Sequence, residues 1–254
     1  MLLTIDIGNT NLTMGLFKGE KLVSHWRLAT DHERMPDEYG LQMLTLLQRS
    51  HSPLKKLTGI CLASVVPPLT GRILQACTEY LQMDPLVVTS DLNIGIKILY
   101  EEPSAVGADR IADAVATHRL YGGPACIIDF GTATTFNALD ENGNYLGGAI
   151  TAGIGIAIEA LFQRTARLPR IELKTPPSVI GRNTTHAMQS GLIFGFVSLT
   201  EGMVLRFRNI LGDKMKVIAT GGLAEIVSSQ TKMIEVTAPW LTLDGLRMIW
   251  EMNR

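Results

Sequence analysis

The stretch LTIDIGNTN at residues 3–11 is echoed by CIIDFGTAT at residues 126–134, so the chain carries one pattern twice. Each copy is an apolar run that ends in Asp-x-Gly and continues into small hydroxyl or amide residues. A second apolar run and a polar glycine turn follow each copy, a succession typical of a strand meander. Because the copies lie about half a chain length apart, the sequence predicts two similar halves.

Helical and strand-like segments alternate after each copy of the pattern. Apolar periodicity predicts the following elements. They are helices over 37–49, 70–81, 157–167, 184–210 and 223–228, and strands over 59–66, 85–89 and 216–219. Sheets flanked by helices in both halves predict an α/β protein with duplicated domains at 1–117 and 118–254.

Charge and composition limit the possible partners of the chain. Its 23 basic and 24 acidic residues give a net charge of −1, which offers no electrostatic reason to expect nucleic acid or a membrane surface. The sequence shows neither a secretion leader nor a stretch that we expect to span a bilayer, so a soluble cytoplasmic protein is predicted. Three scattered cysteines, Cys61, Cys77 and Cys126, are expected to be free and buried.

The first Asp-x-Gly loop has the chemistry of a phosphate site. Phosphates are bound by backbone N–H groups that glycine lets approach closely, with hydroxyl donors beside them. Residues 6–11 supply both at the tip of a hairpin. Asp6 ends an apolar strand, where a carboxylate is costly unless paired, and Mg²⁺ beside an ATP phosphate is its natural partner, directly or through water. The alternative is an ordinary capped glycine turn, which two symmetric copies disfavour.

Neither the Gly-x-x-x-x-Gly-Lys phosphate loop nor the Gly-x-Gly-x-x-Gly dinucleotide fingerprint is present. ATP is therefore expected in a cleft between the two duplicated halves. Such an arrangement resembles the acetate and sugar kinase, Hsp70 and actin superfamily, in which both halves have a ribonuclease H-like core.

A third candidate feature is the segment at 107–110, Gly-Ala-Asp-Arg, which precedes residues of helical spacing. Asp109 then stands at the start of a helix, where capping alone would explain it. Alternatively, its carboxylate accepts the proton of a hydroxyl that attacks phosphorus. Arg110 offers a planar donor fork for a carboxylate or phosphate. Spacing alone leaves the two interpretations open.

Taken in order, these motifs resemble the type III pantothenate kinases, which are related to the Bvg accessory factor. The resemblance covers essentially the whole chain. The matching segments are DIGNTN at 6–11, SVVPP at 64–68, Tyr100, GADR at 107–110, DFGTATT at 129–135, GGAI at 147–150, LFQR at 161–164 and TGG at 220–222.

The resemblance implies a role for each matching position. The implied ATP-binding residues are Asp6, Ile7, Gly8, Asn9, Thr10, Asn11, Leu12, Thr13 and Thr132. The implied pantothenate-binding residues are Tyr100, Gly107, Ala108, Asp109, Arg110 and Thr184. Asp109 would be the catalytic base, Asp129 would ligate K⁺ or NH₄⁺, and the turn at 220–222 would lie near adenosine. The family acts as a homodimer and forms 4′-phosphopantothenate at the start of coenzyme A synthesis.

The sequence departs from the family pattern at two places. Thr151-Ala152 precedes Gly153 where the family usually has Ala-Pro, and Asn137 stands where Asp is common. Neither position carries one of the roles above.

Two other functions compete with the kinase. One is a regulatory ATP-binding homologue without turnover, and the other is a sugar kinase of the same superfamily. A regulator has no chemical need to keep Asp6, Asp109, Arg110 and Asp129 together, so their presence favours the enzyme. The motifs around Tyr100 disfavour a sugar kinase.

Overall fold

The computed structural model describes residues 1–50 and 56–254, and the chain divides into two compact units. Unit 1 contains Met1–Ala116 and Leu241–Arg254, and unit 2 contains Thr117–Trp240. The domains expected from the sequence, 1–117 and 118–254, differ from these units mainly in the C-terminal segment, which packs with unit 1.

Unit 1 has a mixed five-stranded sheet in the order β3-β2-β1-β4-β5. Its strands are β1 (Leu2–Ile7), β2 (Asn11–Lys18), β3 (Lys21–Ala29), β4 (Gly59–Ser64) and β5 (Leu86–Val87). The central strand β1 pairs antiparallel with β2 and parallel with β4. A three-strand meander on one side and parallel strands on the other is the arrangement of a ribonuclease H-like domain.

Unit 2 repeats this topology in the order β10-β9-β6-β7-β8. Its strands are β6 (Ala125–Phe130), β7 (Ala133–Leu139), β8 (Tyr145–Ala152), β9 (Lys216–Thr220) and β10 (Val236–Thr237). The central strand β6 pairs antiparallel with β7 and parallel with β9, as β1 does with β2 and β4. The predicted duplication is therefore confirmed.

Seven α-helices lie among the described residues. They are α1 (Pro36–Arg49), α2 (Pro67–Ala76), α3 (Ala108–Tyr121), α4 (Ile154–Arg164), α5 (Thr184–Leu211), α6 (Ala224–Ser228) and α7 (Leu241–Met252). Pro67 and Pro68 not only end a strand, as predicted, but also open α2, because proline lacks an N–H that the first helical turn does not use. The sequence pattern did not predict α7.

The sheet of unit 1 is covered on both faces. Leu3, Ile5 and Ile7 of β1 belong to one buried cluster with residues of α1 and α2. On the opposite face, Thr4 and Leu243 of α7 both lie within 3 Å of the place that a side chain at Gly15 would occupy. Two covered faces explain why every residue of β1 except Asp6 is buried, although Thr4 and Asp6 alternate with the apolar residues Leu3, Ile5 and Ile7.

Helix α5 corrects one expectation drawn from the sequence. It has 28 residues and is long and apolar enough to cross a membrane, by length and composition only. In unit 2 its residues Val197 and Val204 are buried in a cluster with strands β6 and β9. A core helix of a soluble protein meets the same two criteria, because its apolar face is covered by protein.

The three cysteines are free and buried, as predicted. Burial raises the pKa of the Cys61, Cys77 and Cys126 thiols to about 12. The protonated thiol therefore prevails at neutral pH, which makes all three structural rather than reactive.

Candidate active site

The first Asp-x-Gly loop is closed by its own backbone and fastened to the end of β3. The N–H of Gly8 donates to the carbonyl of Asn11 at 3.0 Å. Thr30 donates its hydroxyl to the carbonyl of Gly8 at 2.6 Å and its N–H to the carbonyl of Thr10 at 3.0 Å. Asn9, Thr10 and Asn11 are exposed, so the loop presents amide and hydroxyl groups to solvent on a fixed backbone.

Asp6 lies one residue before the end of β1, half-buried at the centre of the sheet. Its paired positions are Thr13 on β2 and Ala63 on β4. The carboxylate is thus held on the most constrained strand of unit 1, next to the exposed loop. This placement suits a group that must meet phosphate or a hydrated cation at a constant position.

Val65, just after β4, brings the Gly107 segment to the first loop. Its N–H donates to the carbonyl of Ile7 at 3.1 Å. Its Cγ1 atom is 3.3 Å from the position that a Cβ on Gly107 would take. The residues before α3 therefore lie at the same edge of the sheet as the Asp6 loop, within one unit.

Asp109 is the second residue of α3, and its carboxylate accepts a backbone hydrogen bond in the first turn. The N–H of Ile111 donates to the carbonyl of Gly107 at 3.1 Å, and the N–H of Arg110 donates to Asp109 Oδ1 at 2.7 Å. This contact resembles capping, but the N-cap position is Gly107. It does not exclude the second interpretation, because this bond engages only one carboxylate oxygen.

Burial raises the pKa of the Asp109 carboxyl above its usual value, while the N–H and the charge of Arg110 oppose the rise. A raised pKa makes a carboxylate a stronger base. Gly107 makes the position possible, because a Cβ there would lie 2.5 Å from Asp109 Oδ1. The carboxylate thus lies against the glycine backbone.

Tyr100 lies in unit 1, outside regular structure and shortly before the turn at Pro103–Ala105. Its side chain is 39% exposed. A phenol of this kind can contact a ligand with both its ring and its hydroxyl.

The second Asp-x-Gly loop packs its carboxylate against glycine backbone. A Cβ on Gly221 would lie 2.2 Å from Asp129 Oδ1, and one on Gly131 would lie 3.2 Å from Asp129 Oδ2. Gly221 also has φ +91°, a left-handed conformation that glycine adopts without strain. The Thr220-Gly221-Gly222 turn, which the resemblance placed near adenosine, therefore also forms one wall around Asp129.

Thr132, at the tip of the second loop, is exposed, and its carbonyl group packs against Gly153. The N–H of Gly153 donates to the carbonyl of Thr132 at 3.1 Å, and a Cβ on Gly153 would lie 2.3 Å from that oxygen. Gly153 follows the departure Thr151-Ala152, which ends the edge strand β8. The glycine that supports the loop is retained although the usual proline is replaced.

Asn137, the second departure, is buried in a polar pair of contacts. Its Nδ2 donates to Thr135 Oγ1 at 3.0 Å, and its Oδ1 accepts from the Tyr145 hydroxyl at 3.0 Å. An ionised aspartate would be unable to donate to Thr135 and would place a charge at a position with 0% exposure. The amide therefore fits the site that this chain presents.

Thr184 lies elsewhere in unit 2, as the first residue of α5. Asn183 caps that helix by accepting from the N–H of His186 at 2.8 Å. A cavity of about 540 Å³ lies beside the helix start. It is lined by Pro177, Ser178, Ile180, Gly181, Arg182, Asn183 and His186.

Among residues 1–50 and 56–254, no group of three or more His, Cys, Asp or Glu side chains could hold a metal ion. In the sequence of each loop, Asp6 and Asp129 are the only carboxylates. Single carboxylates suit Mg²⁺ bound together with phosphates and water, or a weakly held monovalent cation. Asp6 and Asp129 therefore suit the expected ions, with phosphates and water as the other ligands.

Three positions have a structural role that the sequence analysis did not assign to them. Val65 connects two motifs, Gly221 encloses Asp129, and Gly153 supports the second loop. Each lies in or beside a segment that matches the family pattern. That match was the only feature of the sequence that could have drawn attention to them. Their roles depend on contacts between distant segments, which the sequence does not display.

Comparison with known proteins gives a consistent result. Residues 2–206 match the family model described as type III pantothenate kinase. A protein of Moorella thermoacetica named type III pantothenate kinase is 49% identical over 253 residues, and the alignment covers 100% of both chains.

Solved structures of lower identity share the fold. A conserved Campylobacter jejuni protein, described as a candidate Baf family transcriptional activator, superposes with a TM-score of 0.61 at 19% identity, covering 99% of this chain and 98% of its own. A candidate 2-dehydro-3-deoxygalactonokinase of Sinorhizobium meliloti gives 0.60 at 11% identity, with coverages of 99% and 96%. These likenesses concern the fold alone, the two-domain architecture of sugar kinases and actin.

Proposed function

The chain belongs to the type III pantothenate kinase family, and on this premise we propose that it transfers a phosphoryl group from ATP to pantothenate. The product is 4′-phosphopantothenate, formed in the first step of coenzyme A synthesis.

One contact in unit 1 gives this proposal its main structural support. Val65 hydrogen-bonds to Ile7 beside the first loop and also lies against Gly107, two residues before Asp109. A phosphate-binding loop and a carboxylate of raised pKa are thereby held at one sheet edge. Phosphoryl transfer to an alcohol needs this pairing of phosphate donors and a proton acceptor.

We assign nucleotide binding to the first loop and to one residue of the second. The proposed ATP contacts are Asp6, Ile7, Gly8, Asn9, Thr10, Asn11, Leu12, Thr13 and Thr132. The hydrogen bonds from Thr30 fix the first loop before substrate arrives, so little reorganisation is needed when phosphate binds. Backbone amides and the exposed hydroxyl of Thr10 then face the phosphates.

Asp109 is the proposed base. A primary alcohol is a poor nucleophile, so the protein must align it and remove its proton as the bond to phosphorus forms. Asp109 Oδ1 accepts from the N–H of Arg110, which leaves Oδ2 as the atom proposed to receive the proton. The guanidinium of Arg110 is proposed to hold the pantothenate carboxylate. Tyr100, Gly107, Ala108 and Thr184 complete the proposed acceptor contacts.

Two ions are proposed to assist, in line with the single carboxylates of the loops. Asp6 would hold Mg²⁺, directly or through water, and Asp129 would hold K⁺ or NH₄⁺ against the backbone of Gly131 and Gly221. When bound, these cations neutralise charge on the phosphates.

A homodimer in the cytoplasm is the proposed state of the protein. Unit 2 exposes several large apolar side chains, and exposed apolar surface of this kind is often covered by a partner. They are Ile150, Ile156, Phe162, Val179 and Ile180. Sedimentation at micromolar concentration checks the dimer; a monomer throughout would contradict it.

The deciding experiment is a kinase assay with ATP, Mg²⁺, K⁺ and pantothenate, followed by Asp109→Asn. We expect phosphopantothenate from the wild-type protein and a fall in turnover of about 10²- to 10⁴-fold in the variant, with nucleotide affinity nearly unchanged. ATP binding without product from the wild-type protein would favour the regulatory alternative. Unchanged turnover in Asp109→Asn would remove the base assignment.

The same variant tests the electrostatic cost of the site. Because the folded-state pKa of Asp109 is raised, its charged form destabilises the fold at pH values above the ordinary carboxyl range. Asn retains an oxygen for the N–H of Arg110. Asp109→Asn should therefore raise the free energy of unfolding at pH 7, and the gain should vanish below about pH 4, measured by urea unfolding. A loss of stability at pH 7 would contradict this sign.

A further inference from the structure

The C-terminal helix α7 packs closely on the sheet that carries the first loop. Leu243 Cδ1 lies 2.8 Å from the position of a Cβ on Gly15 in β2. The Trp250 ring lies 2.6 Å from the corresponding position on Gly59 in β4. Since both glycines leave no space for a side chain, α7 has a fixed height and register on this face.

The opposite side of α7 holds α3 by backbone contact. A Cβ on Gly245 would lie 2.0 Å from the carbonyl oxygen of Ala112. The Thr242 hydroxyl donates to Asp113 Oδ1 at 2.7 Å, and Asp113 is only 2% exposed. Loss of a hydrogen bond to a buried polar group costs more than loss of an exposed one, so this contact is a strong constraint on α3.

Asp113 follows Asp109 by one helical turn, so the two residues move together. A rigid connection therefore runs from β2 and β4 through α7 to the second turn of α3, next to the turn that carries Asp109. All of it lies within unit 1. Helix α7 lies beyond residues 2–206, the part of the chain that the family model matches.

We propose that α7 is a positioning element for phosphoryl transfer, in which Thr242 and Gly245 hold α3 so that Asp109 keeps its place relative to the Asp6 loop. The proposal rests on the proposed function. Its physical basis is that a displacement of about 1 Å in a reacting group can cost as much as 100-fold in rate. Thr242 acts through Asp113 and α3.

Matched variants separate positioning from simple support of the fold. Thr242→Val removes the hydroxyl donor at similar volume, Thr242→Ala removes it without added bulk, and Thr242→Ser retains it. Glu251→Gln is the control, because Glu251 pairs with Arg247 at 3.0 Å within α7 itself. It weakens the helix through a contact that does not involve α3.

Steady-state kinetics give the first readout. We expect Thr242→Val and Thr242→Ala to lower kcat about tenfold while KM for ATP changes less than about twofold, because only the base is displaced. Thr242→Ser should return kcat to within about threefold of the wild type. Glu251→Gln should lower Tm yet leave kcat unchanged.

The amide of Arg110 gives a second readout that does not need activity. Its N–H donates to Asp109 Oδ1, so its ¹H–¹⁵N resonance in arginine-labelled protein reports the geometry of that contact. We expect the resonance to move in Thr242→Val and Thr242→Ala, and to stay in place in Thr242→Ser and Glu251→Gln.

The outcomes distinguish this inference from the proposed function. An active wild-type protein with unchanged kcat in both donor-lacking variants would overturn the role of α7 alone. So would an equal loss of kcat in Glu251→Gln. An inactive wild-type protein would overturn the proposed function, and the role of α7 in phosphoryl transfer would fall with it. An unmoved Arg110 resonance in Thr242→Ala would show that Thr242 does not position α3 at all.

Discussion

The two Asp-x-Gly loops occupy the same place in two sheets of the same strand order, yet they are built differently. Four residues separate the last paired positions Ile7 and Leu12 of the first hairpin. Three separate Phe130 and Thr134 of the second. The extra residue makes the first loop wider, and its tip presents exposed amide and hydroxyl groups.

The supports of the two loops differ as well. The first is fastened by two hydrogen bonds from Thr30, one from its hydroxyl and one from its N–H. The second is enclosed by backbone, with Gly153 behind Thr132 and Gly221 against Asp129. An open loop suits the many oxygens of a nucleotide, whereas a carboxylate fixed against backbone suits a small cation. The same motif therefore stands in two different structural surroundings.

The largest effect that would test this difference comes from replacing each carboxylate. Asp6→Asn and Asp129→Asn should each lower kcat about 100-fold, because each removes charge that organises a cation near the phosphates. Only Asp6→Asn should raise the Mg²⁺ concentration needed for half-maximal rate, and only Asp129→Asn should abolish the preference for K⁺ over Na⁺. Titration of each ion measures both. If either variant altered both ion dependences alike, the loops would not be functionally distinct.

A smaller effect is expected from Gly221→Ala, which tests the enclosure of Asp129. The new methyl group would meet Asp129 Oδ1 at 2.2 Å, and alanine would have to adopt φ +91°. We expect a loss of about 2 kcal/mol in the free energy of unfolding, measured with urea. Gly222→Ala is the matched control, since no atom lies within 4 Å of its Cβ position. Equal losses in the two variants would show that crowding at Asp129 is not the cause.

The smallest effect is expected from the glycines of the two motifs themselves. A Cβ on Gly8 would lie 3.1 Å from the carbonyl oxygen of Asn11, and one on Gly131 would lie 3.2 Å from Asp129 Oδ2. Shifts of a few tenths of an ångström would relieve either contact, so stability should fall by about 1 kcal/mol or less. Gly8→Ala should raise KM for ATP a few-fold, and Gly131→Ala should raise the K⁺ requirement a few-fold. The reverse assignment in kinetic titrations would exchange the roles of the loops.

Much of the fold could be predicted because its signals are local. The meander after Asp6, its copy after Asp129 and the helix over 37–49 follow from apolar periodicity and turn residues. Helix α7 was not predicted, and its return to unit 1 depends on contacts with distant segments that no local pattern shows. The same limit applied to α5, whose apolar length resembles a membrane span until its packing in unit 2 is known.

The sequence by itself determined the duplication, the strand meander of each half and the identity of the residues proposed for chemistry. These depend on the order of residue types along the chain. Only the tertiary structure decided how the two copies differ: which loop is open, which carboxylate lies against Gly221, and how Val65 brings Gly107 to Ile7. The reason is physical. Two distant segments can approach closely where one of them has a glycine, because glycine has no side chain. Which segment packs against a given glycine is known only from the tertiary structure.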